Sequence, residues 1–532
     1  MDRDQSEVTN NNYEGEIEED KITEEEVRKA IKALKDGKAF GPDGIPNEII
    51  KRCEEELLEP ICIVFNKSLN EGSIPEMWRC ANVVPIFKKG SKEDPLNYRP
   101  VSLTCVLCKM FESIIKKRIS KDLNKNNFLI DEQHGFRSGH STTTNLLEFY
   151  NDVIQNLDRK HSVDIMYFDL AKAFDTVPHS KLINKLKAMN LNKKLVTWIE
   201  DYLKGRKQRV LVRGKLSEWL EVFSGVPQGS VIGPLLFLIF INDLKEGIQS
   251  KLSIFADDTK IMHIVDTEEE IKELEEDLRK LQKWSEMNDM KFNTDKCSVM
   301  HCGTNNRKTQ YKLYGKILRD TNSEKDLGVI VDKDMKFKSQ VAAQTKKANN
   351  TLGMIKRNFE CVNQEVFQIL YSTLVRPNLE YAVQVWNPYQ KGEKEKIEKI
   401  QRRATKMVRE LKDNCYEERL HKLDLMSTET RRERGDQIMC YKILNNKVTV
   451  DEHVLIKATE TRTRGHSMKL AKTTMASEIR KNFFSNRVVN KWNDLRQETV
   501  TASNIESFKE AYDREERIRK GGSTTSSRLT TA

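Results

Sequence analysis

The chain has 532 residues and a formal net charge of +10, with 32% charged and 38% hydrophobic residues. That length is too great for one compact core, and the apolar content lies well above that of disordered chains. The longest apolar run extends from Val231 to Ile241. It is too short to cross a bilayer and predicts a buried element, so the composition excludes a membrane-spanning protein and indicates several domains.

The charge is distributed unevenly along the chain. Residues 1–30 carry 4 Lys/Arg against 11 Asp/Glu, whereas residues 341–532 carry 37 Lys/Arg against 25 Asp/Glu. The excess of positive charge in the later part of the chain suits a polyanionic partner such as nucleic acid, although a well-solvated surface explains the same excess of charge.

Composition shifts divide the chain into six predicted segments. The acidic beginning lacks apolar anchors and predicts a disordered tail, and Thr23 with Glu26 forms a capping box that starts the first helix. The segments are a disordered acidic tail (1–20), an N-terminal helical extension (21–68), a mixed α/β region (69–332), a helical region (333–415), a basic, mostly helical C-terminal region (416–520) and a flexible tail (521–532).

The ten cysteines form no regular framework, which favours a reducing compartment. Cys105-x-x-Cys108 and Cys297-x4-Cys302 have the appearance of zinc ligands, but neither pair has a second pair at finger spacing. Ordinary thiols are therefore the favoured interpretation. The acidic N-terminus is unlike a signal peptide, and we expect a cytoplasmic and nuclear protein.

Aspartates interrupt apolar, β-prone runs at two places in the mixed region. Asp169 ends the run 163–168, and Asp257 with Asp258 separates two short strand-like runs, which predicts a β-hairpin with both acids at its turn. An Asp-Asp pair at a turn is usually only turn chemistry. Clustered carboxylates, however, repel one another and usually need a cation, and their oxygens suit Mg²⁺. Two such ions can activate a hydroxyl and stabilise a departing pyrophosphate.

Several motifs in order resemble the polymerases of non-LTR retrotransposons, the jockey-like and LINE-like elements. The resemblance covers roughly residues 38 to 515 and is carried by FDLAKAFDTV (168–177), GVPQGSVIGPLLF (225–237), FADD (255–258) and NTDK (293–296). It implies an α+β right-hand polymerase with fingers and palm, an antiparallel sheet plus helices, over 69–332. A helical thumb over 333–415 and the basic C-terminal region would follow.

The resemblance also implies an activity and its catalytic residues. The chain would be an RNA-directed DNA polymerase that adds dNTPs to a primer 3′-hydroxyl on an RNA template, using two Mg²⁺ ions, with Mn²⁺ as the alternative ion. Asp169 and Asp257 would bind metal, together with Leu170, and Asp258 would support the charge of the site. Lys296 would protonate pyrophosphate, although a solvated surface lysine fits the same residue.

Other motif positions imply contacts to the nucleotide. Lys88 and Arg99 would clamp the triphosphate, one as a point charge and the other as a planar fork. Phe174 would be the steric gate against a ribose 2′-hydroxyl, with an ordinary core aromatic as the alternative. Gln228 offers an amide for hydrogen bonding, and Gly229 allows the backbone to approach a ligand closely.

The resemblance further implies contacts to the template and primer. Arg137 is the candidate contact to template phosphate, and Gly328 with Val329 lies in a predicted primer-grip hairpin over 326–331. The implied partners are an RNA template, a DNA primer, dNTPs and the element's own RNA as a ribonucleoprotein. No membrane partner is expected, and the sequence does not determine the oligomeric state.

Two alternatives remain open beside the active polymerase. One is a catalytically silent RNA-binding relic, and the other is a different polymerase with the same palm, such as an intron maturase or an RNA-directed RNA polymerase. Complete elements of this kind carry an endonuclease before the polymerase, and only about 37 residues precede Lys38. We therefore expect a polymerase that stands without its endonuclease.

Overall fold

The computed structural model describes residues 21–189, 191–458 and 465–519. The two predicted tails, 1–20 and 521–532, lie outside the described residues. The chain divides into two compact units, each assembled from separate stretches. The first unit comprises Met1–Phe136, Phe168–Ile248 and Asp277–Lys296, and the second comprises Arg137–Tyr167, Gln249–Glu276 and Cys297–Ala532.

The strands of the described chain are β1 (Cys80–Phe87), β2 (Tyr98–Leu103), β3 (Val163–Phe168), β4 (Arg206–Val212), β5 (Lys215–Leu216), β6 (Leu220–Val222), β7 (Lys251–Phe255), β8 (Asp258–Ile264), β9 (Ser298–Cys302), β10 (Lys312–Leu313), β11 (Lys316–Ile317), β12 (Arg319–Asp320), β13 (Ser323–Asp326) and β14 (Val329–Asp332).

The helices as far as residue 287 are α1 (Glu24–Lys32), α2 (Asn47–Arg52), α3 (Glu54–Glu71), α4 (Val106–Lys125), α5 (Thr142–Asp158), α6 (Ala173–Thr176), α7 (His179–Ala188), α8 (Lys193–Leu203), α9 (Gly233–Phe240) and α10 (Glu268–Met287). The later helices are α11 (Lys338–Asn358), α12 (Gln364–Leu370), α13 (Arg376–Glu380), α14 (Val383–Trp386), α15 (Lys391–Thr405), α16 (Tyr416–Lys422), α17 (Thr428–Leu444), α18 (Glu478–Asn482), α19 (Phe484–Arg487), α20 (Val489–Asn493), α21 (Gln497–Val500) and α22 (Ile505–Arg519).

The first unit is built on a five-stranded sheet whose order is β2-β1-β4-β5, with β6 also paired to β4. The helices of this unit pack against one another through aromatic side chains. The ring of Phe111 lies 4.7 Å from that of Trp198 and 5.1 Å from that of Phe65. The predicted capping box is confirmed at the start of α1, where the Thr23 hydroxyl accepts from the Glu26 amide at 3.3 Å.

The second unit contains a five-stranded sheet of order β12-β9-β3-β8-β7. All six residues of the central strand β3 are buried, which explains why its sequence is almost continuously apolar. The helix α5 begins at its Ser141 cap and packs against this unit's core. That core also includes Tyr441, Trp492 and Phe508 from the C-terminal region.

The expected α+β class is confirmed, with one difference in the sheets. Each five-stranded sheet contains a parallel pair, β1 with β4 and β9 with β12, which an antiparallel sheet would lack. A parallel pair requires a long crossover connection, and between β1 and β4 helical segments supply it. Among the helices that the structure describes, none is both long and apolar enough to traverse a bilayer.

Candidate active site

The acidic pair lies on a tight hairpin in the second unit. Strands β7 and β8 pair up to Phe255 and Asp258, so Ala256 and Asp257 form the turn. Ala256 has a left-handed backbone with φ 57°, which costs a residue that carries a Cβ and indicates that strand pairing imposes the turn. The predicted hairpin is confirmed, but only Asp257 of the two acids lies in the turn, because Asp258 is already the first residue of β8. Its second strand, β8, is the sheet neighbour of β3, the strand that leads to Asp169.

Asp169 follows β3 directly and is held by main-chain bonds within the first unit. Its carbonyl accepts from the Asn293 amide at 2.7 Å, and the Ala171 amide donates to the Lys291 carbonyl at 2.9 Å. This pairing carries Lys296 to the aspartate, where its Nζ lies 3.0 and 3.1 Å from the two carboxylate oxygens. Because the side chains of Asp169 and Lys296 are 36% and 61% exposed, water screens this ion pair and it is weak.

Leu170 is buried beside this pair and forms an antiparallel bridge with Phe292. In the part of the chain that the structure describes, no cluster of three or more His, Cys, Asp or Glu side chains could hold a metal by itself. Mg²⁺ usually needs only one or two carboxylates, its waters and substrate phosphates. Asp169 already binds an ammonium through both oxygens, so its donor chemistry fits a cation. All ten cysteines are free thiols.

The loop before α9 packs closely against β2 in the first unit. The Ser102 amide donates to the Gln228 carbonyl at 2.7 Å. Gly229 follows with φ 126°, and a Cβ on it would lie 2.6 Å from the Ser102 carbonyl oxygen. Any larger residue would therefore push the loop away from β2, which explains the glycine physically.

A buried glutamate, which the motif analysis missed, holds the same loop. One carboxylate oxygen of Glu112 accepts from the amides of Val231 and Ile232 at 2.5 and 3.1 Å, and the other accepts from the Tyr202 hydroxyl at 3.1 Å. An acid on the apolar face of α4 was the available sequence signal. Because Glu112 satisfies amides ahead of α9, it fixes where that helix begins.

His179, also missed, supports the loop from its other end. Its Nε2 lies 2.7 Å from the Gly225 carbonyl and must donate, because a carbonyl oxygen only accepts. Burial lowers the pKa of His179. The neutral ring with its proton on Nε2 is therefore the form that the fold stabilises.

Phe174 belongs to an aromatic cluster beside this loop. Its ring stacks on Phe237 at 4.6 Å and meets Phe136 edge-on at 6.2 Å. Its carbonyl accepts from the Val226 amide at 2.8 Å. The side chain remains half-buried, so it presents part of its surface and is not a fully enclosed core aromatic.

A cavity of about 320 Å³ adjoins the loop, and its wall is rich in cationic and amide side chains, among them Lys172, Arg206, Lys207, Gln208 and Gln228. Arg206 is 3% exposed, and among the described residues neither its Nη2 nor the Gln228 Oε1 has a hydrogen-bond partner. Desolvation raises the pKa of the Asp175 carboxyl in the wall, while Lys172 and Lys88 act in the opposite direction. The cavity therefore suits a ligand that is anionic and also polar.

Lys88 and Arg99 belong to one hairpin of the first unit. Lys88 follows β1, and its amide donates to the Asn97 carbonyl at 2.8 Å. Arg99 lies on β2 opposite Ile86. Both side chains are exposed, so they are free to meet a ligand that binds beside the hairpin.

The remaining predicted residues lie in the second unit. Arg137 is half-buried in the loop that precedes α5. Gly328, with φ 89°, lies in the turn between β13 and β14, where Asp326 pairs with Val329. The Tyr381 hydroxyl donates to the carbonyl of Leu327 in that turn at 2.8 Å. The predicted hairpin is confirmed as a structure, whereas its contact with primer stays a prediction.

The predicted residues thus fall into two sets, each gathered within one unit. The first unit holds Lys88, Arg99, Asp169, Leu170, Phe174, Gln228, Gly229 and Lys296, and the second holds Arg137, Asp257, Asp258, Gly328 and Val329.

The sequence of residues 86–351 matches the model of the family described as reverse transcriptase (RNA-dependent DNA polymerase). That match spans half of the chain and contains both aspartate motifs and the glycine-rich loop. The protein therefore belongs to the reverse transcriptase family.

The chain is similar to polymerases of jockey-like elements, which confirms the resemblance predicted from the motifs. It is 30% identical over 412 residues to the RNA-directed DNA polymerase from mobile element jockey of Drosophila funebris. It is 28% identical over 404 residues to the probable RNA-directed DNA polymerase from transposon BS of Drosophila melanogaster. These matches cover 74% and 73% of this chain and 44% of each relative, so the chain spans less than half the length of those proteins.

Among solved structures, two telomerases are similar to this chain. A Candida albicans telomerase in complex with a fragment of telomeric RNA has 13% identity, a TM-score of 0.38 and coverage of 68% of both chains. An apo telomerase from Candida tropicalis has 12% identity, a TM-score of 0.35 and coverage of 54% of this chain and 59% of its own.

Proposed function

We propose that the protein is the RNA-directed DNA polymerase of a non-LTR retrotransposon. It adds dNTPs to a primer 3′-hydroxyl on an RNA template, and it works on its element's RNA as a ribonucleoprotein in the cytoplasm and nucleus. The observation that carries the proposal is the family match over residues 86–351, a range that contains Arg99, Asp169, Gln228, Asp257 and Lys296.

Asp169 and Asp257 are the proposed metal ligands, with Leu170 beside them and Asp258 supporting the charge of the site. Two Mg²⁺ ions held there would supply Lewis-acid stabilisation of the attacking and departing oxygens, and Mn²⁺ is the alternative. The pairing of these motifs depends on the resemblance to the family, whose match contains both aspartates. Lys296, already at hydrogen-bond distance from Asp169, is the candidate proton donor to pyrophosphate.

The remaining roles concern nucleotide and strand binding. Lys88 and Arg99 would hold the triphosphate, because both are exposed cations on one hairpin. Gln228 and Gly229 would contact the nucleotide from the packed loop, and Phe174 would exclude a 2′-hydroxyl.

The template and primer contacts that the motifs imply fall in the second unit. Arg137 would bind template phosphate, and Gly328 with Val329 would lie beneath the primer. These three assignments depend on the motif resemblance and on the observed β13–β14 hairpin.

Primer extension on poly(rA)–oligo(dT) tests the proposal. We expect dTMP incorporation that requires Mg²⁺ and that Asp257→Asn lowers by at least about a thousandfold, because the variant loses a ligand carboxylate. Asp266→Asn is the matched control, since Asp266 lies just beyond β8 and its carboxylate binds His161 and the Ser162 amide.

Two outcomes would contradict the proposal. Folded protein that binds RNA but incorporates no nucleotide would instead identify a silent RNA-binding relic. Activity that survives Asp257→Asn would place the catalytic aspartate elsewhere.

A further inference from the structure

The helix α4 of the first unit carries an unassigned basic hollow on one face. The hollow has a volume of about 640 Å³, and its lining residues recur every three or four positions along the helix. They are Ser113, Lys116, Lys117, Ser120, Lys121 and Asn124, and Val231 forms the remaining wall. No acidic side chain lines it, so its charge is uniformly positive.

The three lysines are available for a ligand. No ion pair or hydrogen bond joins Lys116, Lys117 or Lys121 to any residue that the structure describes. Arg118, on the neighbouring face of α4, is by contrast engaged with Glu26, 2.6 Å from its carboxylate. Three unneutralised charges on one helical face repel one another, and an incoming anion removes that repulsion.

The spacing of the lining residues suits an extended anion. From Ser113 to Asn124 the helix rises by roughly 16 Å, at 1.5 Å per residue. A chain of phosphates offers several charges over that length, whereas one isolated phosphate does not. Hydroxyl and amide side chains between the lysines add donors for phosphate oxygens.

The position of the hollow links it to the candidate active site. Its Val231 wall is two residues from Gly229, and the Val231 amide is bound by Glu112 of the same helix. A strand lying along α4 would thus pass the loop assigned to nucleotide contact. The buried side of α4, with Phe111 and Ile115 fully enclosed, keeps the helix rigid beneath it.

We propose that this hollow binds the phosphodiester backbone of a single nucleic-acid strand, the RNA template, beside the loop that leads into α9. The inference rests on the proposed polymerase function. The hollow would recognise the strand by charge and independently of base sequence, since every lining side chain that carries charge is a lysine.

The test is the salt dependence of RNA binding by the full chain. The variant carries Lys116→Gln, Lys117→Gln and Lys121→Gln, which remove three charges from exposed or half-buried helix positions at little cost to helix stability. For a single-stranded RNA we expect the slope of log K against log salt to fall by about 2, because each phosphate contact contributes about 0.7. Affinity at 0.1 M salt should fall about 10- to 100-fold.

The matched control removes three lysines of the same unit that are already neutralised. Lys29, Lys67 and Lys187 pair with Glu25, Glu71 and Glu200 at 3.2, 3.9 and 3.3 Å. Their replacement by glutamine should leave the slope within about 0.5 of the wild-type value. Thermal melting of both variants shows whether each is folded.

Three outcomes would overturn the proposal. They are an unchanged slope in the hollow variant, an equal change in the control, or a loss confined to duplex nucleic acid. RNA binding is measured without catalysis, so its result is independent of primer extension. A wild-type chain that binds RNA through the hollow but extends no primer would contradict the proposed activity alone.

Discussion

At the scale of single residues, Phe174 is the position whose two interpretations make opposite predictions. Its stacking on Phe237 would suit an ordinary core aromatic, but the side chain is only half-buried. If it is the steric gate, Phe174→Ala should raise incorporation of ribonucleotides relative to deoxyribonucleotides by about 10- to 100-fold, because the shorter side chain leaves room for a 2′-hydroxyl. Competing rNTP and dNTP extension measures that ratio.

The partner in the stack supplies the control. Phe237 is fully buried, so Phe237→Leu perturbs the same aromatic pair from its enclosed side and leaves the Phe174 side chain in place. We expect its discrimination to stay near wild type. If both variants discriminate as the wild type does, Phe174 has only a packing role.

At the scale of secondary-structure elements, a buried ion pair joins the acidic hairpin to the β13–β14 hairpin. Lys260 of β8 lies 2.5 Å from Asp326 of β13, and the two side chains are 4% and 6% exposed. The Tyr150 hydroxyl donates to the same carboxylate at 2.6 Å. Burial lowers the pKa of Lys260, and Asp326 opposes that shift. The pair therefore sets how the two hairpins meet in the second unit.

Breaking this pair should be costly because it leaves a charge buried alone. We expect Lys260→Met to lower the free energy of unfolding by about 3–5 kcal/mol, and Lys260→Met with Asp326→Leu to recover part of that loss. Urea denaturation measures both. The exposed pair of Lys509 and Glu506, 2.8 Å apart, is the control and should contribute less than about 1 kcal/mol.

If Lys260→Met lowered the free energy of unfolding by no more than loss of the exposed Lys509–Glu506 pair does, this role would be contradicted. It would mean that water reaches Asp326 once the lysine is gone. The double variant separates the two explanations, because only a dry site benefits from apolar replacement of both partners.

At the scale of the whole molecule, the C-terminal region is part of a core and not an appendage. Tyr441, Trp492 and Phe508 pack in the second unit's hydrophobic cluster, and the buried Arg480 donates to the Asn151 side-chain oxygen at 2.8 Å. We expect a chain ending at residue 415 to lose cooperative thermal unfolding and to aggregate, because truncating single buried aromatics already costs about 3–5 kcal/mol each.

A chain ending at Arg519 is the control for that truncation. It retains every described contact of the core and should melt within about 1 °C of the full chain, a shift that corresponds to about 1 kcal/mol for a chain of this size. A stable, cooperatively melting chain that ends at residue 415 would show that the C-terminal region folds separately.

Much of the site could be predicted from sequence because its chemistry is local. A few consecutive residues are enough to predict the hairpin at Asp257, the strand before Asp169 and the close packing at Gly229. Their hydrophobic pattern, turn preference or lack of a Cβ can be recognised without knowing the fold. The family resemblance could be recognised because those short motifs occur in order.

What depends on residues far apart in sequence could not be predicted in this way. Lys296 meets Asp169, Glu112 caps the start of α9, and Lys260 finds Asp326 only because strands and helices from distant stretches pack together. The sequence by itself determined the motifs, since each is a short run of consecutive residues, and the family that they resemble implied the α+β class. Only the tertiary structure decided which charged side chains form ion pairs and which, such as the lysines of the α4 hollow, do not. The reason is that an ion pair requires a partner that packing brings within a few ångströms.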